Sequence, residues 1–294
     1  MRKAMRPTVI VSAYLLFLLA GCTEVPITGR RQLNIVPASL VTSMSLQEYQ
    51  QFISQSKVSA DPKQNDQVKR VATRIVQAVE QYEKEHNEKD RFAGYQWEFT
   101  VVEDPQVNAF AMPGGKVVVY TGILPVAQND AGLATVLGHE IAHVFAEHGS
   151  ERMSQALLVQ MGGMGLDMAL QKQPEQTRSL FNAAYGLGSQ VGVLLPYSRL
   201  QESEADRLGL IFMAMAGYDP HEGVAFWQRM AAAGTGQSKP PEFLSTHPAD
   251  ATRIKNLENL VSEAMKYYRP GGTQAQSQTQ SSTAGALQFP PVKQ

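Results

Sequence analysis

Five consecutive residues, His139-Glu140-Ile141-Ala142-His143, set two imidazoles and a carboxylate where helical geometry would focus them on one ion. On a helix, residues i and i+4 share a face about one turn apart, so both rings can reach a single metal, the ligand spacing of zinc hydrolases. Glu140 sits one position round. Its carboxylate is poorly placed to join the metal and well placed to take a proton from water that the metal activates. A solvated helix with two surface histidines would use the same letters, but the flanking residues oppose it. Between Asn129 and Phe145, Leu133, Leu137, Ile141 and Val144 line the side away from the histidines, while Gly132, Val136 and the following Ala146 accompany them. No face is left for water, so the helix is expected to be buried, and buried polar groups need partners.

Catalytic zinc takes three protein ligands and keeps one position for water. The third ligand is expected from Tyr197-Ser198-Arg199-Leu200-Gln201-Glu202-Ser203-Glu204-Ala205-Asp206. Ser198 and Gln201 form a capping-box pattern after Pro196, which predicts a helix start. Along that helix Glu202 falls at the edge of the stripe made by Ala205, Gly209, Phe212 and Ala216, whereas Glu204 points roughly the other way, with Arg207. Glu202 is therefore the predicted ligand. Asp206, one turn on, could accept the second ring N–H of a ligating histidine and fix its tautomer.

These two motifs resemble the gluzincin peptidase family of HtpX, the CaaX prenyl endopeptidase and mitochondrial Oma, and especially its bacterial lipoprotein members such as LoiP and BepA. The likeness extends from Thr28-Gly29-Arg30-Arg31-Gln32 through Asn108-Ala109-Phe110 and Pro113-Gly114-Gly115 to Thr246-His247-Pro248. It implies that Glu202, four residues before Asp206, is the third ligand of one Zn²⁺ per chain. It also implies that His247 and Arg253 approach the active site from the C-terminal side, as a second donor to the oxyanion or, for His247, as an inhibitory ligand. No 34-residue helical repeat follows the catalytic region, so the tetratricopeptide module of BepA-like members is not expected.

The coarse pattern predicts an α+β, mainly helical fold, a gluzincin-type zinc peptidase domain with a small sheet preceding the active-site helix. Asp66 to Tyr82 carries apolar residues at helical spacing. Tyr95 to Val102, Val107 to Met112 and Lys116 to Tyr120 read as strands, the last two joined by a Pro-Gly-Gly turn. In zinc peptidases of this kind an edge strand binds substrate backbone by strand addition, and Asn108-Ala109-Phe110-Ala111 is the candidate. The Met- and Gly-rich stretches Leu157 to Leu170 and Tyr185 to Leu195 are too short and too interrupted to span a bilayer and are expected to be core. His86 lies in a charged run and is expected in solvent. His221 suits local capping. His148, about 180° from His139 on a continued helix, should order the helix C-terminus with Arg152.

The ends of the chain predict location. Arg2, Lys3 and Arg6 precede the apolar run Val9 to Ala20, closed by Leu19-Ala20-Gly21-Cys22. A basic start, a short apolar stretch and small residues make a signal peptide, 1–21. Cys22 is the only cysteine, and its setting resembles a bacterial lipobox, which implies a lipid anchor to a membrane. Thr23 in place of Asp favours, by the same resemblance, the outer membrane with the domain facing the periplasm. A lipidated linker is expected over 22–45, the peptidase domain over 46–270 and a disordered Gln/Ser/Thr-rich tail over 271–294. Removing Arg2, Lys3 and Arg6 with the leader takes the formal charge from −1 to −4, so a basic nucleic-acid surface is not indicated. The expected activity is metal-assisted hydrolysis of unfolded or envelope proteins, with Glu140 as base. A chaperone or assembly factor with a silent, closed zinc site is the alternative.

Overall fold

The computed structural model describes residues 22–161, 175, 177, 199–234, 242–248 and 251–271. The leader 1–21, residues 162–170 of the first Met- and Gly-rich stretch, all of the second, Ser198 and residues 272–294 of the tail lie outside the described residues. A two-stranded hairpin, β1 (Cys22–Glu24) and β2 (Arg31–Leu33), leads into helices α1 (Ala38–Gln55) and α2 (Pro62–Glu85). Strands β3 (Glu98–Val102), β4 (Ala109–Met112) and β5 (Lys116–Tyr120) follow. A short turn of helix α3 (Leu124–Ala127) then precedes α4 (Asp130–Phe145) and α5 (His148–Met161). The described chain closes with α6 (Arg199–Met215), α7 (His221–Gly234), α8 (Glu242–Thr246) and α9 (Ala251–Ala264).

The mainly helical fold with a small sheet before the motif helix is as expected. Helix α2 exceeds its predicted span at both ends; it starts earlier because Asp61 caps it, accepting from Lys63 N–H, and Pro62 suits the first turn. Helix α1 begins inside the stretch expected to be linker. It packs on the sheet through Tyr49, Phe52 and Ile53, in an apolar cluster with Val102, Phe110, Met112, Val118 and Tyr120.

The sheet order is β3-β5-β4, with β3 parallel and β4 antiparallel to β5, so β4 is an edge. Across that pair Tyr120 N–H donates to the Asn108 carbonyl. Alternation then turns the backbone groups of Val107, Ala109 and Ala111 to the open side.

Two helices position the chemistry. Asn129 caps α4 through Gly132 N–H, and every residue from Gly132 to Phe145 is buried. Against it lies α6, with Ala205, Leu208, Gly209, Ile211 and Phe212 buried. The two helices touch through glycines: a Cβ on Gly138 would stand 2.8 Å from the Gly209 carbonyl oxygen, and one on Gly209 would stand 2.9 Å from His139 N. Only residues without a Cβ allow this approach, and it brings the histidines of one helix within reach of the carboxylates of the other.

Candidate metal centre

Four buried side chains converge: one ligand atom from each of His139, His143, Glu202 and His247 lies within 4.8 Å of all the others. His139 Nε2 is 3.0 Å from His143 Nε2 and 3.1 Å from His247 Nδ1. Glu202 Oε1 is 3.3 Å from His143 Nε2 and 2.9 Å from His247 Nδ1. Ligands about 2.0–2.1 Å from a tetrahedral zinc would stand about 3.3–3.4 Å from one another, so the donors fit that ion in number, kind and spacing. Glu140 lies beside the group, its Oε1 being 3.5 Å from His247 Nε2.

The two motif histidines are supported differently. Behind His139, Asp206 Oδ1 is 3.1 Å from Nδ1, and Arg253 clamps Asp206 with bonds of 2.8 and 2.7 Å. The same guanidinium reaches Glu202 Oε2 at 3.0 Å and stacks 3.5 Å over the Trp227 ring. Behind His143, Nδ1 meets His148 Nδ1 at 2.8 Å, and His148 Nε2 meets Glu204 Oε2 at 2.8 Å.

Charge follows these supports. Burial opposes protonation of His139, but hydrogen bonds and charge from Asp206 and Glu202 outweigh it and raise the pKa to about 9. Burial holds His143 well below the ordinary histidine range and lowers His247 to about 4. Burial likewise pushes Glu140 up to about 8 against the opposing pull of His139 and the Ala111 N–H. That range suits a group that takes and then returns a proton near neutral pH. Glu202 and Asp206 are buried yet held in the charged form, the former chiefly by His247 and His139, the latter chiefly by Arg253 and His139.

All the predicted zinc-site residues therefore meet: His139, Glu140, His143, Glu202, Asp206, His247 and Arg253. Ala111 of the candidate substrate strand meets them through its N–H, which donates to Glu140. Asn108 lies farther along that strand and bonds Ala109 N–H through its own side chain. Cys22 is in β1, a separate hairpin. Two expectations are corrected. Glu204, expected to point away from the site with Arg207, is buried and bound by His148, Arg30 and Thr28, while Arg207 pairs instead with Glu263. His148 is not on a continued helix: Glu147 adopts φ +54°, and this left-handed step turns His148 back onto His143. The available signal was a third histidine so soon after the motif. Trp227 was also missed, since a lone tryptophan in an amphipathic helix reads as core.

The model of peptidase family M48 matches residues 62–261. The chain belongs to that family. The expected enzyme class is thus met, in family and in the presence of a site able to hold a metal. Mitochondrial metalloendopeptidase OMA1 of Schizosaccharomyces pombe is 35% identical over 247 residues, covering 82% of this chain and 66% of that protein. The Saccharomyces cerevisiae protein of that name is 32% identical over 272 residues, covering 87% and 76%. The β-barrel assembly-enhancing protease of Yersinia pestis is 32% identical over 169 residues, covering 56% and 34%. The aligned part spans under half of the plant, bovine and human relatives. These likenesses overturn the location read from the first residues: the relatives matched over more than four-fifths of this M48 chain are mitochondrial, which points away from a bacterial outer-membrane lipoprotein. Among the described residues no helix is long and apolar enough to cross a membrane.

Proposed function

We propose that this M48 protein is a zinc-dependent endopeptidase that hydrolyses peptide bonds in unfolded or misfolded protein segments. The observation that carries the reading is the convergence of His139, His143 and Glu202 on one point with Glu140 beside it. Zinc held there would polarise a scissile carbonyl and lower the pKa of a water. Glu140 accepts the proton of the attacking water and delivers it to the leaving amine. Asp206 orients His139, and Arg253 holds Asp206 and Glu202 in place. We assign Arg253 to that clamp rather than to the oxyanion, because Asp206, Glu202 and the Pro248 carbonyl already engage its nitrogens.

Substrate backbone would add to the open edge of β4, at Asn108 to Ala111, which gives affinity with little sequence preference. In this structure Phe243 N–H takes the Val107 carbonyl on that edge, and His247, tied to Phe243 by its own N–H, fills the fourth corner of the donor group. One segment thus touches the residue leading into β4 and fills the metal position, which supports His247 as a lock. The same closure supports the second reading, an assembly or chaperone-like factor with a silent site, the role suggested by a relative named for enhancing β-barrel assembly. A lipid tether at Cys22 remains a proposal from sequence, tested by loss of labelled palmitate in Cys22→Ser.

The deciding experiment digests casein with the full chain, with and without a zinc chelator. Glu140→Gln should keep zinc and lose about 100- to 10,000-fold in rate, because it removes a base and no ligand. Wild-type rates in that variant would remove Glu140 from the mechanism. His247→Ala should raise basal proteolysis; a variant that binds zinc and stays inert would favour the silent site.

A further inference from the structure

A row of polar groups behind His143, half-buried at its outer end and buried at its inner end, takes no part in the chemistry above. Its outer end is the N-terminal hairpin. Arg30 Nε donates to Glu204 Oε2 at 2.6 Å, and Thr28 Oγ1 donates to Glu204 Oε1. Arg30 is itself fixed by Glu151 at 2.9 Å and Gln32 at 2.8 Å, and Gln201 of α6 donates to the other oxygen of Glu151 at 2.7 Å. The hairpin and α5, both distant in sequence, therefore join Gln201 of Glu204's own helix in holding its carboxylate in place. That carboxylate faces His148 Nε2, and His148 Nδ1 faces His143 Nδ1.

Donor and acceptor counting fixes the protons along this row. A carboxylate that receives a guanidinium and a hydroxyl can only accept, so His148 Nε2 must donate to it. A neutral imidazole with its proton on Nε2 presents a lone pair at Nδ1, and that lone pair accepts from His143 Nδ1–H. His143 then carries its lone pair on Nε2, the atom that faces His139 and Glu202. The opposite tautomer would put a proton where a metal must bind.

We propose that Thr28, Arg30, Glu204 and His148 form a tautomer relay in which the N-terminal hairpin sets the proton on His143 and so its readiness to ligate. These four are positioning residues, and the proposal rests on the zinc reading of the site. It also gives Glu204 a consequence opposite to that of a surface carboxylate: its loss should weaken zinc binding.

The test measures zinc affinity of the full chain by competition with a chromophoric chelator, together with the visible spectrum after cobalt substitution. His148→Leu should bind zinc about 10- to 100-fold more weakly, the usual consequence of losing a partner of a ligand. His148→Gln keeps an acceptor for His143 and a donor for Glu204, so its affinity and cobalt spectrum should stay close to those of the parent. Unchanged affinity in His148→Leu, or equal loss in Leu and Gln variants, would overturn the relay. Should circular dichroism show that His148→Leu does not fold, Arg30→Met decides: weaker zinc binding supports the clamp, and parental affinity overturns it. Failure of the zinc reading is distinguishable, because the parent chain would then bind no zinc, and the relay would fall with it.

Discussion

The two motif histidines lie 3.0 Å apart at their metal-facing nitrogens, yet the regions behind them are built on different principles. His139 is backed directly by a carboxylate that a buried arginine holds, and its affinity for protons is raised. His143 is backed by a second imidazole, with the carboxylate one step farther off, and burial dominates. In the metal-free protein burial favours the neutral forms of His143 and His247, while Asp206 and Glu202 favour the charged form of His139. Direct support binds charge; relayed support fixes a tautomer without adding charge beside the ion.

The comparison is broken most severely at Asp206. Asp206→Ala strips His139 Nδ1 of its carboxylate and leaves the buried Arg253 without one of the two carboxylates it meets, and losing one member of a buried ion pair costs about 3–5 kcal/mol. Urea unfolding of the metal-free protein should show a loss of that order, and zinc affinity should fall further than in any variant of the His148 side. If Asp206→Ala and His148→Leu behaved alike, the distinction between the two supports would not hold.

A second prediction sharpens it through pH. A histidine whose folded pKa is raised to about 9 stabilises the metal-free fold fully below about 6.5, and that contribution is lost as pH climbs through 9. Glu140, raised from 4.5 to about 8, acts in the same direction up to pH 8, because the folded state again holds the extra proton. Metal-free stability should therefore decline between about pH 6.5 and 9. Zinc binding displaces the proton of His139, so affinity should rise over the same window, by up to about tenfold per unit. Calorimetry in buffers of different ionisation enthalpy would count the protons released. An affinity independent of pH would place no proton on His139.

The smallest effect is expected where the two regions are joined. Gly209→Ala puts a methyl group 2.9 Å from His139 N, and relief requires α6 to move away from α4. Overpacking of this kind costs about 1–3 kcal/mol, visible as a lowered melting temperature with a lesser change in zinc affinity. Parental stability would mean that the helices separate freely and that their close approach does not set the site.

Much of this centre was legible in the chain itself. The i, i+4 spacing of His139 and His143, the apolar residues on every side of them, and the phase of Glu202 and Asp206 against Ala205 and Gly209 are local properties that a helix converts into positions. The strand pattern before the motif likewise fixed a small sheet, since alternation and turn residues act over a few positions. Tertiary structure alone decided Glu204, His148 and the hairpin. One left-handed residue, Glu147, redirected His148 after a helix that pattern alone would continue. Contacts spanning 174 and 176 residues brought Arg30 and Thr28 to a carboxylate that its own helix would show to solvent. Periodicity reports which face of an element is apolar; it cannot report which distant polar group will arrive to satisfy the rest, because that partner is chosen by packing.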